Sequence, residues 1–163
     1  MIDTVIRQAL RDSVNEVLEK MFFVQTLGEF SDLEVAGHPP EDEMAARLDF
    51  QGEPAGSLRL RLTSVAAKQI AADFLGIDAA DVSDLQVSEV IRELANMTCG
   101  SVLSRVESST AFNLSAPQIV PPSEEDTGSL WNTRYAVELS NGRLTVNITT
   151  ESPTCSQPAE SAY

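Results

Sequence analysis

Residues 57–62 read Ser-Leu-Arg-Leu-Arg-Leu, an unbroken alternation. Successive side chains of a strand point to opposite faces, so Leu58, Leu60 and Leu62 share one face and Ser57, Arg59 and Arg61 the other. Just upstream, Met44, Ala46, Leu48 and Phe50 alternate in the same way, and the Gln-Gly-Glu-Pro-Ala-Gly between the two runs has turn chemistry. The pair predicts a hairpin with one apolar and one wet face. The pattern returns near the C-terminus. Tyr135, Val137 and Leu139 alternate on one run, Leu144, Val146 and Ile148 on the next, and Ser140, Asn141 and Gly142 lie between them. Asn-Gly favours a tight hairpin turn because both residues tolerate positive φ. Sheets that are wet on one face take helices on the other only, so the fold class is α+β, in two layers unless a partner covers the open face.

The helices follow from a different period. Ile2, Val5, Ile6, Leu10, Val14, Val17, Leu18, Met21 and Phe22 recur in steps of three and four, predicting a first helix over about residues 2–26. A short strand is expected around residues 30–35, in a loop rich in Gly, Pro and acids. A second, shorter helix begins at Thr63 or Ser64 and stops at Gly76. A third runs from Ser83 or Asp84 to Val106. Phe112, Leu114 and Ala116 alternate in a further strand that Pro117 interrupts. Residues 1–150 are expected to form a single domain, and the polar residues 151–163 a disordered tail.

Composition removes several classes of function. The chain has 163 residues, with 25 acids against 11 bases and a net charge of −14. Phosphate backbones and anionic lipids attract basic surfaces, so neither nucleic acid nor a membrane surface is an expected partner. No apolar run approaches the roughly 20 residues of a membrane span. The N-terminal residues are too charged for a signal peptide, and two cysteines, Cys99 and Cys155, do not make a disulfide framework. A cytoplasmic protein is the expectation. His38 is the only histidine, which argues against a histidine metal site or a catalytic triad.

The third helix carries the chemistry. At about 100° per residue from Val87, the side chains of Ile91, Leu94 and Thr98 fall within roughly 40° of it and form the core stripe. Glu89, Glu93, Asn96 and Gly100 fall at roughly 180–240°, on the opposite strip. A solvated outer face is the ordinary outcome for such a strip. Two features resist it. Asn competes with the backbone for hydrogen bonds inside a helix, and Gly costs about 1 kcal/mol relative to Ala there. Close packing by another element would equally account for Gly100.

The residues Glu93-Leu-Ala-Asn96-Met97-Thr-Cys-Gly100 resemble the signature of the CheC/CheX/FliY chemotaxis phosphatases, Glu-x-x-Asn followed by a hydrophobic residue, two more and Gly. Where that family often has Asp or Ser, four residues before the Glu, stands Glu89 with Ser88 beside it. Ser115-Ala-Pro117-Gln-Ile119-Val120 resembles the family's strand with a proline before an aliphatic pair, and about residues 2–150 are similar to CheX in length and element order. The resemblance implies two long helices and a shorter one packed on a mainly antiparallel sheet, with pseudo-twofold internal symmetry. It also implies that the first helix could hold a second site. In residues 15–23 Glu16 is followed by Glu19 with no Asn three residues after an acid, so the CheX-like pattern of one site per chain is expected.

The substrate implied by the resemblance is a phosphorylated CheY-like receiver protein. Its aspartyl phosphate is an acyl phosphate, and the receiver brings its own Mg2+ and lysine. No cofactor or metal of the chain's own is then expected. Asn96 would orient the attacking water, Glu93 would pair with the receiver's lysine, and Gly100 would let the receiver's loops approach. Glu89 would lie in the same docking face. Family resemblance further implies a homodimer through sheet edges. The rival is a non-catalytic module of the flagellar-switch type, which binds a receiver or assembles with its own copies.

Overall fold

The computed structural model describes residues 2–29, 43–53, 55–106, 111–122 and 131–151. The first helix, α1 (Ile2–Glu16), continues as a five-residue π-helical segment, Val17–Met21. The strand β1 (Thr26–Glu29) follows, then the hairpin β2 (Glu43–Gln51) and β3 (Gly56–Thr63), the short helix α2 (Ser64–Leu75) and the long helix α3 (Asp84–Val106). Two short strands, β4 (Asn113–Leu114) and β5 (Gln118–Val120), precede the hairpin β6 (Trp131–Leu139) and β7 (Gly142–Thr150). All strand pairs are antiparallel, in the order β1-β6-β7-β3-β2-β4, with β5 also on β2. The class is α+β, as the alternating patterns predict.

Read inward from either edge, the sheet runs short edge strand, first hairpin strand, second hairpin strand. The two second strands, β3 and β7, meet at the centre, where Leu60 faces Val146. A pseudo-twofold axis therefore passes through the middle of the sheet and relates the α1-to-β3 half to the α3-to-β7 half.

The core lies between this sheet and the helices. Leu48, Phe50, Leu58, Leu60, Leu62, Leu144, Val146 and Ile148 supply the sheet side; Leu10, Val14, Leu18, Ile70, Ile91 and Leu94 supply the helix side. Burying each such side chain is worth about 1.5–3 kcal/mol.

Several expectations change. The first helix ends at Met21 rather than near residue 26, and the strand expected at residues 30–35 lies outside the described residues; β1 begins earlier, at Thr26. The π segment rotates the end of the stripe, leaving Met21 just over half exposed while Phe22 is fully buried and stacked on Phe74, ring centroids 4.6 Å apart; Val5, well before that segment, is also more than half exposed. Phe23 then adopts φ +59°, a left-handed conformation rare for a bulky residue, with 70% of it exposed. The outer face of the sheet is not wet throughout. Arg59 is buried, and its guanidinium donates to the carbonyl of Pro121 at 3.1 Å. In the last hairpin, Leu139 pairs with Gly142 across a Ser140-Asn141 turn, and only Gly142 has positive φ. A Cβ on Gly142 would overlap the Thr63 hydroxyl. Ala116 is exposed rather than alternating into the core. His38, the loop acids Glu124, Glu125 and Asp126, and residues 152–163 lie outside the described residues.

Candidate functional site

The helix α3 starts where a reciprocal cap allows it to. Ser83 Oγ accepts from the backbone N–H of Gln86 at 3.1 Å, and Gln86 Oε1 accepts from the N–H of Ser83 at 2.9 Å. This Ser-x-x-Gln capping box satisfies two amides at the helix start. From there Val87, Val90, Ile91, Leu94, Ala95, Thr98, Cys99, Val102 and Leu103 are all buried, which fixes the rotation of the helix about its axis.

That rotation puts the four predicted residues together. Glu89, Glu93 and Gly100 are exposed and Asn96 is half-buried on one strip. The side chains of Glu89, Arg92, Glu93 and Asn96 make no hydrogen bond or ion pair with described residues. A Cβ built on Gly100 would meet nothing within 4 Å. Close packing by a described element of this chain therefore does not account for the glycine. The strip is helix surface rather than pocket. A cavity of about 690 Å3 is lined by Phe23, Asp73, Ile77 and Asp78 among others, and by none of these four residues. Small ligands are taken by concave sites, so an exposed polar strip of this kind suits a macromolecular surface.

The strip is braced from below. Ser101, next to Gly100, donates to the hydroxyl of Ser13 on α1 at 3.0 Å. One turn further, Arg105 pairs with Glu16 of α1 at 2.7 Å. Cys99, inside the motif, is fully buried, and burial pushes its thiol up to about 12. It is a packing residue, not a nucleophile. Among the described residues no cluster of three or more His, Cys, Asp or Glu could hold a metal ion, and no described helix is long and apolar enough to cross a membrane.

The structure also exposes a pair that the sequence reading passed over. Every buried position of α1 and its π segment from Ile6 to Leu18 has a buried counterpart on α3: Ile6 with Val87, Ala9 with Val90, Leu10 with Ile91, Ser13 with Leu94, Val14 with Ala95, Val17 with Thr98, Leu18 with Cys99. In that register Leu10-Arg11-Asp12-Ser13-Val14-Asn15 matches Ile91-Arg92-Glu93-Leu94-Ala95-Asn96, with Arg, acid and Asn in the same places. Asp12 is exposed like Glu93, and Asn15 half-buried like Asn96. Glu16 and Glu19 lie one and two turns beyond the matching acid, Asp12. The match ends there, because Glu19 stands in the place of Gly100, and the carboxamide oxygen of Asn15 accepts from the Tyr135 hydroxyl at 3.5 Å.

The fold is that of known chemotaxis proteins. CheX in the Borrelia burgdorferi CheX–CheY–BeF3–Mg2+ complex superposes with a TM-score of 0.72 at 16% identity, covering 89% of this chain and 97% of that one. The CheX protein of Vibrio vulnificus gives 0.68 at 17% identity, covering 90% and 96%, and FliY of Thermotoga maritima gives 0.62 at 12%, covering 94% and 91%. No curated protein matches by sequence. The family model described as chemotaxis phosphatase CheX matches residues 44–130, from β2 through the whole of α3, and the chain belongs to that family.

Proposed function

We propose that the chain is a phosphatase for the aspartyl phosphate of a CheY-like receiver, docked on the outer strip of α3. The single observation that carries this reading is the placement of Glu93, Asn96 and Gly100 on one exposed strip over which no described element packs. Membership of the CheX family, and the CheX–CheY pairing in the Borrelia burgdorferi complex, support a receiver as the partner.

The chemistry asks little of the phosphatase. An acyl phosphate has a good leaving group, and phosphoryl transfer is governed mainly by positioning and charge stabilisation. A carboxamide both donates and accepts, so Asn96 can hold a water in line with phosphorus without adding negative charge. The water's oxygen forms the new bond to phosphorus, the bond from phosphorus to the aspartyl oxygen breaks, and inorganic phosphate and the free carboxylate leave. Glu93 pairs with the receiver's lysine and sets the approach. Gly100 lets the receiver's backbone come close, and Glu89 extends the acidic face that meets it. Mg2+ comes with the receiver. The non-catalytic reading, of the flagellar-switch type, keeps the fold; an available amide at Asn96 favours the phosphatase. Sheet edges such as the short β1, with Leu27 more than half exposed, suit the homodimer.

The test is the decay of phosphorylated receiver with wild-type protein, with Glu93→Ala and with Gly100→Trp. Wild type should accelerate it and both variants should act only at higher protein concentration. Equal decay with and without the wild-type protein, across the receivers of the same organism, would rule the reading out.

A further inference from the structure

We propose that the groove beside α2, with Phe23 at its middle, is a docking site for a basic amphipathic helix of a partner protein. The inference goes beyond the receiver reading and does not depend on it, because none of Glu89, Glu93, Asn96 and Gly100 lines this groove.

Two depressions follow one another along α2. The larger, of about 690 Å3, lies at the C-terminal end of the helix, against Gly76, Ile77, Asp78 and Asp81. The smaller, of about 190 Å3, lies toward the N-terminal end, where Ala66, Gln69 and Ile70 line it together with Val24, Leu139 and Asn141. Phe23 and Asp73 line both, so the two form one groove. Ala66, Ile70, Ala72 and Leu139 are buried and make its floor apolar. α2 has 12 residues and is therefore about 18 Å long. A second helix of about three turns can lie beside it.

Phe23 is held in this groove under strain. The Phe22 N–H donates to the Val17 carbonyl at 3.2 Å, and the Val24 N–H donates to the Leu18 carbonyl at 2.8 Å. These bonds close the end of the first helix and fix Phe23 between them at φ +59°, in the left-handed position where glycine is usual. A bulky side chain is disfavoured there, and the ring recovers little by burial, since most of it is in solvent. Ile77, more than a third exposed, adds a second apolar contact. Strained residues of this kind cluster at ligand clamps.

Charge selects the occupant. Among the described residues that line the groove, three are aspartates, Asp73, Asp78 and Asp81, and none is a lysine or arginine. The side chains of Asp78 and Asp81 are exposed and make no hydrogen bond or ion pair with described residues. The chain itself supplies no counter-charge from its remaining segments: residues 30–42, 107–110, 123–130 and 152–163 contain acids and no lysine or arginine. A second copy brings a net charge of −14. Both meet the acidic rim with the wrong sign. A helix with apolar anchors at steps of three and four and Lys or Arg on its flanks fits the floor and the rim together.

The experiment uses the full chain and a fluorescein-labelled synthetic peptide of about four helical turns, with leucines along one face and lysines on the others. Fluorescence anisotropy should show saturable binding that weakens as salt rises. The same residues in scrambled order, or glutamates in place of the lysines, should bind about tenfold more weakly or not at all. Phe23→Gly and the double variant Asp78→Lys/Asp81→Lys should each weaken binding of the leucine–lysine peptide by about tenfold. Glycine suits the left-handed backbone and both aspartates are exposed, and a melting temperature at or above that of wild type confirms that each variant is folded. Absence of binding, equal binding of the scrambled or glutamate peptide, or equal binding by the two variants overturns the proposal. So does a homodimer that Phe23→Gly dissociates, which would seat a second copy in the groove. Phosphate release from a phosphorylated receiver should be the same with Phe23→Gly as with wild type, so failure of the groove leaves the α3 reading standing; loss of that release would assign the groove to the receiver and overturn the proposal as well.

Discussion

Arg105 Nη2 lies 2.7 Å from Glu16 Oε1, and Nη1 of the same guanidinium lies within 3.3 Å of the Ser13 hydroxyl and 3.1 Å of the Ser101 hydroxyl. One side chain thus ties α1 to α3 one turn beyond Gly100. Both charged groups are more than a third exposed, so solvent screening limits the pair to about 1 kcal/mol. Arg105→Ala should lower the melting temperature by about 2–4 °C, with the difference shrinking at high salt. Thermal unfolding at low and high salt checks this; an unchanged melting temperature at low salt would show that the brace contributes nothing.

Gly100 separates stability from function. It sits inside a regular helix with open space where a Cβ would go. Gly100→Ala should therefore raise stability by about 0.5–1 kcal/mol, since alanine is the better helix former and nothing obstructs it. In the proposed docking the same methyl group would stand at the receiver's closest approach, and it should slow receiver dephosphorylation by about tenfold. Chemical denaturation and a phosphate-release assay on the same variant measure the two effects. A variant that is stabilised and fully active would contradict the docking role of this residue.

Phe23 holds a left-handed backbone with most of its side chain in solvent. For an L-residue with a bulky side chain this conformation costs about 1–2 kcal/mol. Phe23→Gly removes that cost and gives up little burial, so it should stabilise the protein by about 0.5–1 kcal/mol after the entropy of the freer unfolded chain is counted. Urea unfolding reads the change directly. A loss of more than about 1 kcal/mol would mean that the ring packs against something in solution.

Cys99 gives a pH signature. Burial raises its thiol from 9.0 to about 12. Below pH 9 the thiol is protonated in both folded and unfolded chains. Above it the unfolded chain loses the proton first, so folding stability from this group is present below pH 9 and is lost as the pH rises towards 12. In a Cys155→Ser background, the fall in stability between pH 8 and pH 10.5 should be about 2 kcal/mol larger with Cys99 than with Cys99→Ala. The native thiol should also resist a disulfide reagent at pH 8. Equal pH slopes for the two proteins would place the thiol in contact with water.

Much of this fold is legible because alternation leaves a strand few choices. Leu58, Leu60 and Leu62 fall on the core face and pair across the sheet centre as their period demands. The strip of Glu89, Glu93, Asn96 and Gly100 was legible for the same reason: the apolar stripe of α3 runs without interruption and fixes its opposite face. The first helix was harder. Its period breaks at the π segment, a local widening that leaves no mark in a pattern of apolar residues, so neither its end nor the exposure of Met21 can be read from that pattern. The burial of Arg59 depends on Pro121, far away in sequence, and no local pattern reports that. Asp12 and Asn15 were visible as letters. What made them a matched pair was the burial register between two helices, which appears only once both are packed on one sheet.

The central claim concerns Asn96, and the most direct measurement is phosphate release from a phosphorylated CheY-like receiver with wild type and with Asn96→Ala. The side chain is half-buried and makes no hydrogen bond with described residues, so its loss should leave the fold and the melting temperature intact. The wild-type protein should accelerate release, and Asn96→Ala should reduce that acceleration by about 100-fold or more, the size of effect that removing one positioned group produces, while still binding the receiver charged with beryllium trifluoride. Release at the wild-type rate with folded Asn96→Ala would show that this amide does not hold the water.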